Sequence, residues 1–283
     1  MVLKYTILLF LMTCLLAHGQ ADSIDRQALV QRHCPTVQTV DPLSPFTVGN
    51  GEFAFTADVT GLQSLASAYL DGIPLTTMSQ WGWHAFPNVQ HYRMEQTFVP
   101  YNIDGHSVPY AAQMDTKPAQ VLRANPHRLH LGQIGFKKRD GGELAVTDID
   151  GINQKLDLWH GILSSQFTYN GQNLAVQTCV HPNIDQIAVR IKSADLQQVG
   201  LEIGFDFPYG SSQWGKTAFD WEQPEKHTSL IVAQQPRFVV IQRQLDSTRY
   251  FVTIRWNGKA KFSATAPHSF VLSIQTDSTF EFT

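Results

Sequence analysis

The chain has 283 residues, 43% hydrophobic and 11% aromatic, with a formal net charge of −3. Its longest basic run is Lys137-Lys138-Arg139, followed by the turn residues Asp140-Gly141-Gly142. The clustered positive charge of a phosphate-binding surface is therefore missing, and nucleic acid is excluded as a partner.

Residues 1–21 read as a signal peptide. Lys4 supplies a positive start, and Thr6 to Ala17 is an apolar run of about a dozen residues, too short to span a bilayer as a helix. The small residues after it fit cleavage behind Gly19 or Ala21, with an uncleaved anchor as the alternative. Cleavage sends the protein to the periplasm or the cell exterior, with no membrane partner afterwards. Cys14 leaves with the signal, so Cys34 and Cys179 remain. Either they pair, or Cys179, in mid-strand, is a small buried hydrophobe; spacing does not decide.

Residues 22–46 form a lead-in in which Ser23 or Asp25 caps a short helix running to His33 and ended by Pro35. From 47 to 283 nearly every segment reads as strand or turn. Phe53, Phe55, Ala57 and Val59 alternate with other residues, as do Val199, Leu201, Ile203 and Phe205. Tyr250, Val252, Ile254 and Trp256 do the same, then Phe270, Leu272 and Ile274. Leu174, Val176, Thr178 and Val180 alternate after the Asn170-Gly171 pair, which tolerates the positive φ of a tight hairpin. Ile187, Val189 and Ile191 follow the His181-Pro182-Asn183 break. Period two over many strands predicts an all-β, largely antiparallel sandwich in one domain. A split in the turn-rich segment near 115–125 is the alternative.

Two irregular stretches, 61–110 and 205–228, are where loops can carry function. The first holds Trp81-Gly82-Trp83-His84, the second Trp214, Asp220 and Trp221. An indole can stack on the apolar face of a pyranose while polar neighbours bond its hydroxyls. The same rings can instead anchor the loops to the sandwich or to another domain. Trp81, Trp83, His84, Trp214, Asp220 and Trp221 are thus candidates for carbohydrate contact or a domain interface. No catalytic residue is expected: Asp220 and Glu222 are one pair of carboxylates such as glycoside hydrolysis uses, with nothing further to support them. His127 and His130 point to opposite sides of a strand, the other histidines are scattered, and no Cys-x-x-Cys occurs. Neither metal nor cofactor is expected. Gly49-Asn50-Gly51 has no helix after it to receive a phosphate.

The order of short motifs carries a resemblance. Leu156-Asp157-Leu158, Phe167-x-Tyr169-x-Gly171, Pro182-x-x-Asp185-Gln186 and Val189-Arg190 follow one another, with Val48-Gly49-Asn50-Gly51-Glu52-Phe53 upstream. Together they resemble the N-terminal sandwich domain of bacterial glycoside hydrolases of families 65 and 95, as do the segments at 79–88 and 125–135. The resemblance implies a galactose-mutarotase-like supersandwich followed by a helical (α/α)6 toroid that carries the catalytic acid and base. The chain stops at Thr283, where that toroid would begin, and is expected to be truncated there. The implied function is a non-catalytic module of an exported carbohydrate-active enzyme, partnered by carbohydrate, the missing helical domain, or both. A stand-alone exported carbohydrate-binding protein and a mutarotase-like enzyme are the alternatives.

Overall fold

A computed structural model describes residues 24–111, 115–213 and 217–283. The expected signal peptide and Trp214 lie outside the described residues. The chain is mostly β. The lead-in contributes β1 (Thr36–Val37), and the next segments give β2 (Phe46–Gly49), β3 (Phe53–Ala57), β4 (Thr77–Ser79) and β5 (Trp83–His84). A hairpin of β6 (Phe98–Ile103) and β7 (His106–Ala111) precedes β8 (His127–Arg128) and β9 (Gln133–Lys138). Then come β10 (Ile149–Asp157), β11 (Ile162–Tyr169), β12 (Gln172–Val180), β13 (Ile187–Lys192) and β14 (Leu201–Asp206). Short β15 (Tyr209–Gly210) and β16 (Phe219–Asp220) lead to β17 (His227–Gln235), β18 (Phe238–Leu245) and β19 (Thr248–Asn257). The last are β20 (Ala260–Ala266), β21 (Ser269–Ile274) and β22 (Thr279–Phe282).

Two layers hold the core. One is a nine-stranded sheet ordered β1-β10-β11-β12-β13-β22-β19-β18-β17, and the other is a four-stranded sheet ordered β20-β21-β14-β9. All their pairings are antiparallel. Alternation sorts the side chains as expected. Leu174, Val176 and Thr178 are buried, as are Ile203 and Phe205 on the facing sheet. Rings meet between the layers, with Phe136 at 5.8 Å from Phe167 and Phe205 at 6.0 Å from Phe282. The β11–β12 hairpin closes through Asn170 and Gly171, both at positive φ, with Tyr169 opposite Gln172. The outer edge strand β17 exposes Leu230, Ile231 and Val232, and its register shifts between Ile231 and Ala233.

The helices depart in one respect from the sequence reading. Asp25 caps Arg26–Gln31 as anticipated, its Oδ1 accepting from the Ala28 N–H at 2.9 Å. The turn-rich segment near 115–125 contains a longer helix, Lys117–Ala124. Pro118 fits its first turn because the N–H that proline lacks has no helical partner there. Cys34 and Cys179 are free thiols.

The alternation expected to run to Val59 ends as a strand at Ala57, and residues 58–65 continue inward as irregular backbone. All of them are buried. Their polar groups are answered from both layers. Gln154 donates to the Asp58 carbonyl at 2.7 Å and Thr178 Oγ1 to the Gly61 carbonyl at 2.7 Å. On the other side, Gln63 N–H donates to the Ile134 carbonyl and Phe136 N–H to Ser64 Oγ. The segment thereby covers the edge strand β9. Asp58 organises it, accepting from Thr60 N–H, Thr60 Oγ1 and Leu65 N–H at 2.7, 2.5 and 2.6 Å. Gly61, at φ +83°, adopts a backbone that strains any L side chain, and a Cβ would also crowd Ser165 Oγ at 3.0 Å and Val176 at 3.1 Å.

Burial pushes the Asp58 carboxyl up to about 6 despite these donors. A raised carboxyl stabilises the fold below its ordinary 3.8, and that contribution is lost as pH rises toward about 6. Replacing Asp58 by Asn turns an amide NH2 against a backbone donor. The expected loss is about 2 kcal/mol at pH 7 by urea unfolding, with Asp58's share of the pH dependence below 6 abolished.

Candidate functional site

The loop after β4 presents the first two candidate indoles. Trp81 is 48% exposed, yet its Nε1–H donates to Asp185 Oδ2 at 2.6 Å. The same oxygen accepts from Ser79 Oγ at 2.6 Å, so Asp185 of the Pro-x-x-Asp-Gln motif clamps this loop to the large sheet. Trp81 also leans on Tyr250, centroid to centroid 5.9 Å. Trp83 is 43% exposed, donates Nε1–H to the Gln80 carbonyl at 3.0 Å and lies under the Arg128 guanidinium at 4.1 Å. Both rings are held still while half open to solvent.

His84 takes a different position from the one expected of a carbohydrate contact. It is 1% exposed and both ring nitrogens are engaged. Nδ1 faces His127 Nε2 at 2.9 Å and Nε2 faces Asp246 Oδ2 at 3.0 Å. Tyr209 donates its hydroxyl to the same Asp246 oxygen. His127 Nδ1 faces the Ala124 carbonyl at 2.9 Å and must carry a proton there. The three contacts of this chain need three protons, whereas two neutral imidazoles hold two. Burial pushes both rings below their ordinary value. At neutral pH the pair is therefore neutral and one contact lacks its proton. Gly210 makes the approach feasible, since a Cβ on it would lie 2.5 Å from His84 Nδ1.

A second buried cluster adjoins the first, with Tyr209 stacked on His227 at 5.7 Å. At its centre Arg243 is 0% exposed. Its guanidinium donates to the Thr228 and Pro208 carbonyls at 2.9 Å each, to Ser229 Oγ, and to His227 Nδ1 at 2.7 Å. His268 stacks on His227 at 3.7 Å and faces Arg243 with Nδ1 at 3.3 Å. Burial, then the Arg243 charge, pushes His227 down to about 3. His130, also buried, is pushed down to about 4 while its Nδ1 accepts from the Thr77 N–H at 3.0 Å.

The remaining candidates sit elsewhere. Asp220 is in β16, and its Oδ1 accepts from the Glu222 N–H at 2.8 Å, closing a local turn. Trp221 is 41% exposed and packs on Phe219 at 5.7 Å. Trp81 and Trp221 line separate cavities. Sequence reasoning set His127 and His227 aside as metal ligands, noted Tyr209 only as a loop aromatic and did not name Arg243 or Asp246; the five come from four segments with no common spacing. Among the described residues no three His, Cys, Asp or Glu side chains gather as a metal site would need.

The sequence matches no protein-family profile and no curated protein. The fold is similar to part of a putative kojibiose phosphorylase from human microbiome, with a TM-score of 0.50 and 11% identity. The match covers 87% of this chain and 31% of that one, so this chain spans less than a third of that protein. At this identity the likeness is one of fold, and it agrees with a sandwich like the N-terminal domain of such an enzyme.

His130 and His227 bind protons more weakly in the fold than in the unfolded chain. The stability this represents is full above the ordinary 6.5 and is lost as pH falls toward about 4 for His130 and about 3 for His227. The thermal midpoint should therefore fall on acidification through this range, and less steeply in His130→Asn. Arg243→Met should lose about 3 kcal/mol by stranding buried acceptors. Lys should not restore it, lacking the planar fork.

Proposed function

We propose that this domain is the non-catalytic sandwich module of an exported carbohydrate-active enzyme, a glycoside hydrolase or phosphorylase, that packs against a helical catalytic domain. The observation that carries this reading is the pair of fixed but half-exposed indoles, Trp81 and Trp83. A surface ring held by Asp185, or beneath Arg128, has already given up its freedom, so covering it loses little further entropy. The β6–β7 hairpin adds Tyr101, Ile103, Val108 and Tyr110, all exposed. Large apolar side chains exposed in this number are the kind of surface that marks interaction sites. The fold likeness to a phosphorylase agrees with the partner being a catalytic domain of that enzyme class. The sequence motifs support the same assignment, and the apolar run before residue 21 supports export.

Catalysis is assigned to the partner because Asp220 is held in a turn and His84 is enclosed. The isolated chain should release nothing from aryl α- or β-glycosides or α-linked disaccharides, with or without phosphate. Turnover that disappears in Asp220→Asn would overturn the assignment. In sedimentation velocity the free chain should self-associate, and Trp81→Ser with Trp83→Ser should reduce this. A strictly monomeric wild type indifferent to both substitutions would remove the docking face.

A further inference from the structure

Gln133, Asp206 and Ser269 are direct cross-strand partners on β9, β14 and β21. They form a polar row on the outer face of the small sheet, away from the core. Beside them Gly135 and Gly204 are paired, leaving a bare strip over which the Gln63 backbone and the Lys137 side chain pass. A Cβ on Gly204 would sit 2.6 Å from Lys137 Cε, and one on Gly135 2.7 Å from the Gln63 carbonyl oxygen. Lys137 thus lies across the sheet and sets Nζ 2.7 Å from Asp206 Oδ1. Trp221 forms one wall and the segment with Ser67 and Leu70 another, enclosing a cavity of about 410 Å³ with Glu143 at its margin.

From this arrangement we infer that the cleft between Trp221 and the Lys137–Asp206 pair binds a neutral mono- or disaccharide. The inference rests on the carbohydrate-active reading above and names a sugar site apart from the Trp81 face. An indole wall with a few convergent polar groups suits a pyranose, which has an apolar C–H face and hydroxyls around its rim. Lys137 and Gln133 offer donors, and Asp206 spends one carboxylate oxygen on Lys137 and has the other to accept a hydroxyl. Lys137 is neutralised by Asp206, and Glu143 leaves the margin acidic. Phosphorylated and acidic sugars are therefore disfavoured. The volume lies within the range of small-molecule sites, toward its small end.

The test titrates the whole chain with maltose, kojibiose, methyl α-glucoside and glucose 1-phosphate, following Trp fluorescence and saturation-transfer NMR. At least one neutral sugar should bind with a millimolar or better constant, and glucose 1-phosphate more weakly. Trp221→Ala should weaken binding by tenfold or more, and Trp221→Phe should restore part of it. Asp206→Asn should weaken it with the far-ultraviolet circular dichroism unchanged. Trp81→Ala should leave the affinity as it was. Binding lost in Trp81→Ala and kept in Trp221→Ala would overturn the cleft while leaving the surface indoles as the sugar contact. No binding by any probe would overturn the cleft and leave the docking reading to its sedimentation test.

Discussion

The fold depends on a buried segment of irregular backbone. Residues 58–65 lie where a sandwich would ordinarily place apolar side chains, and peptide groups removed from water must find partners. They find them in both layers at once, through Gln154 and Thr178 from the large sheet and Ile134 and Phe136 from the small one. The segment therefore fixes the registration of one layer on the other. It also occupies the free edge of β9, which would otherwise invite another strand. The cleft beside Trp221 inherits its shape from this, because Gln63 and Ser64 stand at its inner end.

Arg243 plays a comparable part on the other side of the molecule. It is a buried cation whose contacts are carbonyls, a hydroxyl and imidazoles, with no carboxylate among them. Such a group is stable only while every dipole points the right way. Its partners come from the 208 segment, β17 and the β20–β21 turn, so one side chain specifies how three pieces meet. His227 and His268 both turn Nδ1 to the Arg243 N–H groups as acceptors, which agrees with their depressed affinity for protons.

The strand ladder was legible because period two is a direct record of which face meets the core. Phe53, Phe55 and Ala57 declare themselves, and so do Leu174 and Val176. The Asn170-Gly171 turn and the Asp25 cap are local effects that need no tertiary information. The wedge at 58–65 was not legible, since its partners lie up to 117 residues away and its own sequence has no period. The His84–His127–Asp246 chain was hidden for the same reason. Arg243 did leave a trace: Val239, Ile241 and Leu245 alternate around it and place the charge inward. A cation at an inward position of a strand requires an organised polar pocket, and that pocket is what the fold contains. Trp221 could be named as a candidate, but the polar row facing it arises only when β9, β14 and β21 pair.

The nine-stranded sheet ends in two unlike margins. On one side β1 is only two residues long and offers almost nothing to pair with. On the other, β17 runs for nine residues with Leu230, Ile231 and Val232 exposed. Its guard is the register shift after Ile231, which interrupts the row of unpaired peptide groups. That irregularity interrupts the ladder which a further strand would need at this margin, and a deletion that straightened it would leave nine residues in register for edge-to-edge pairing with another chain.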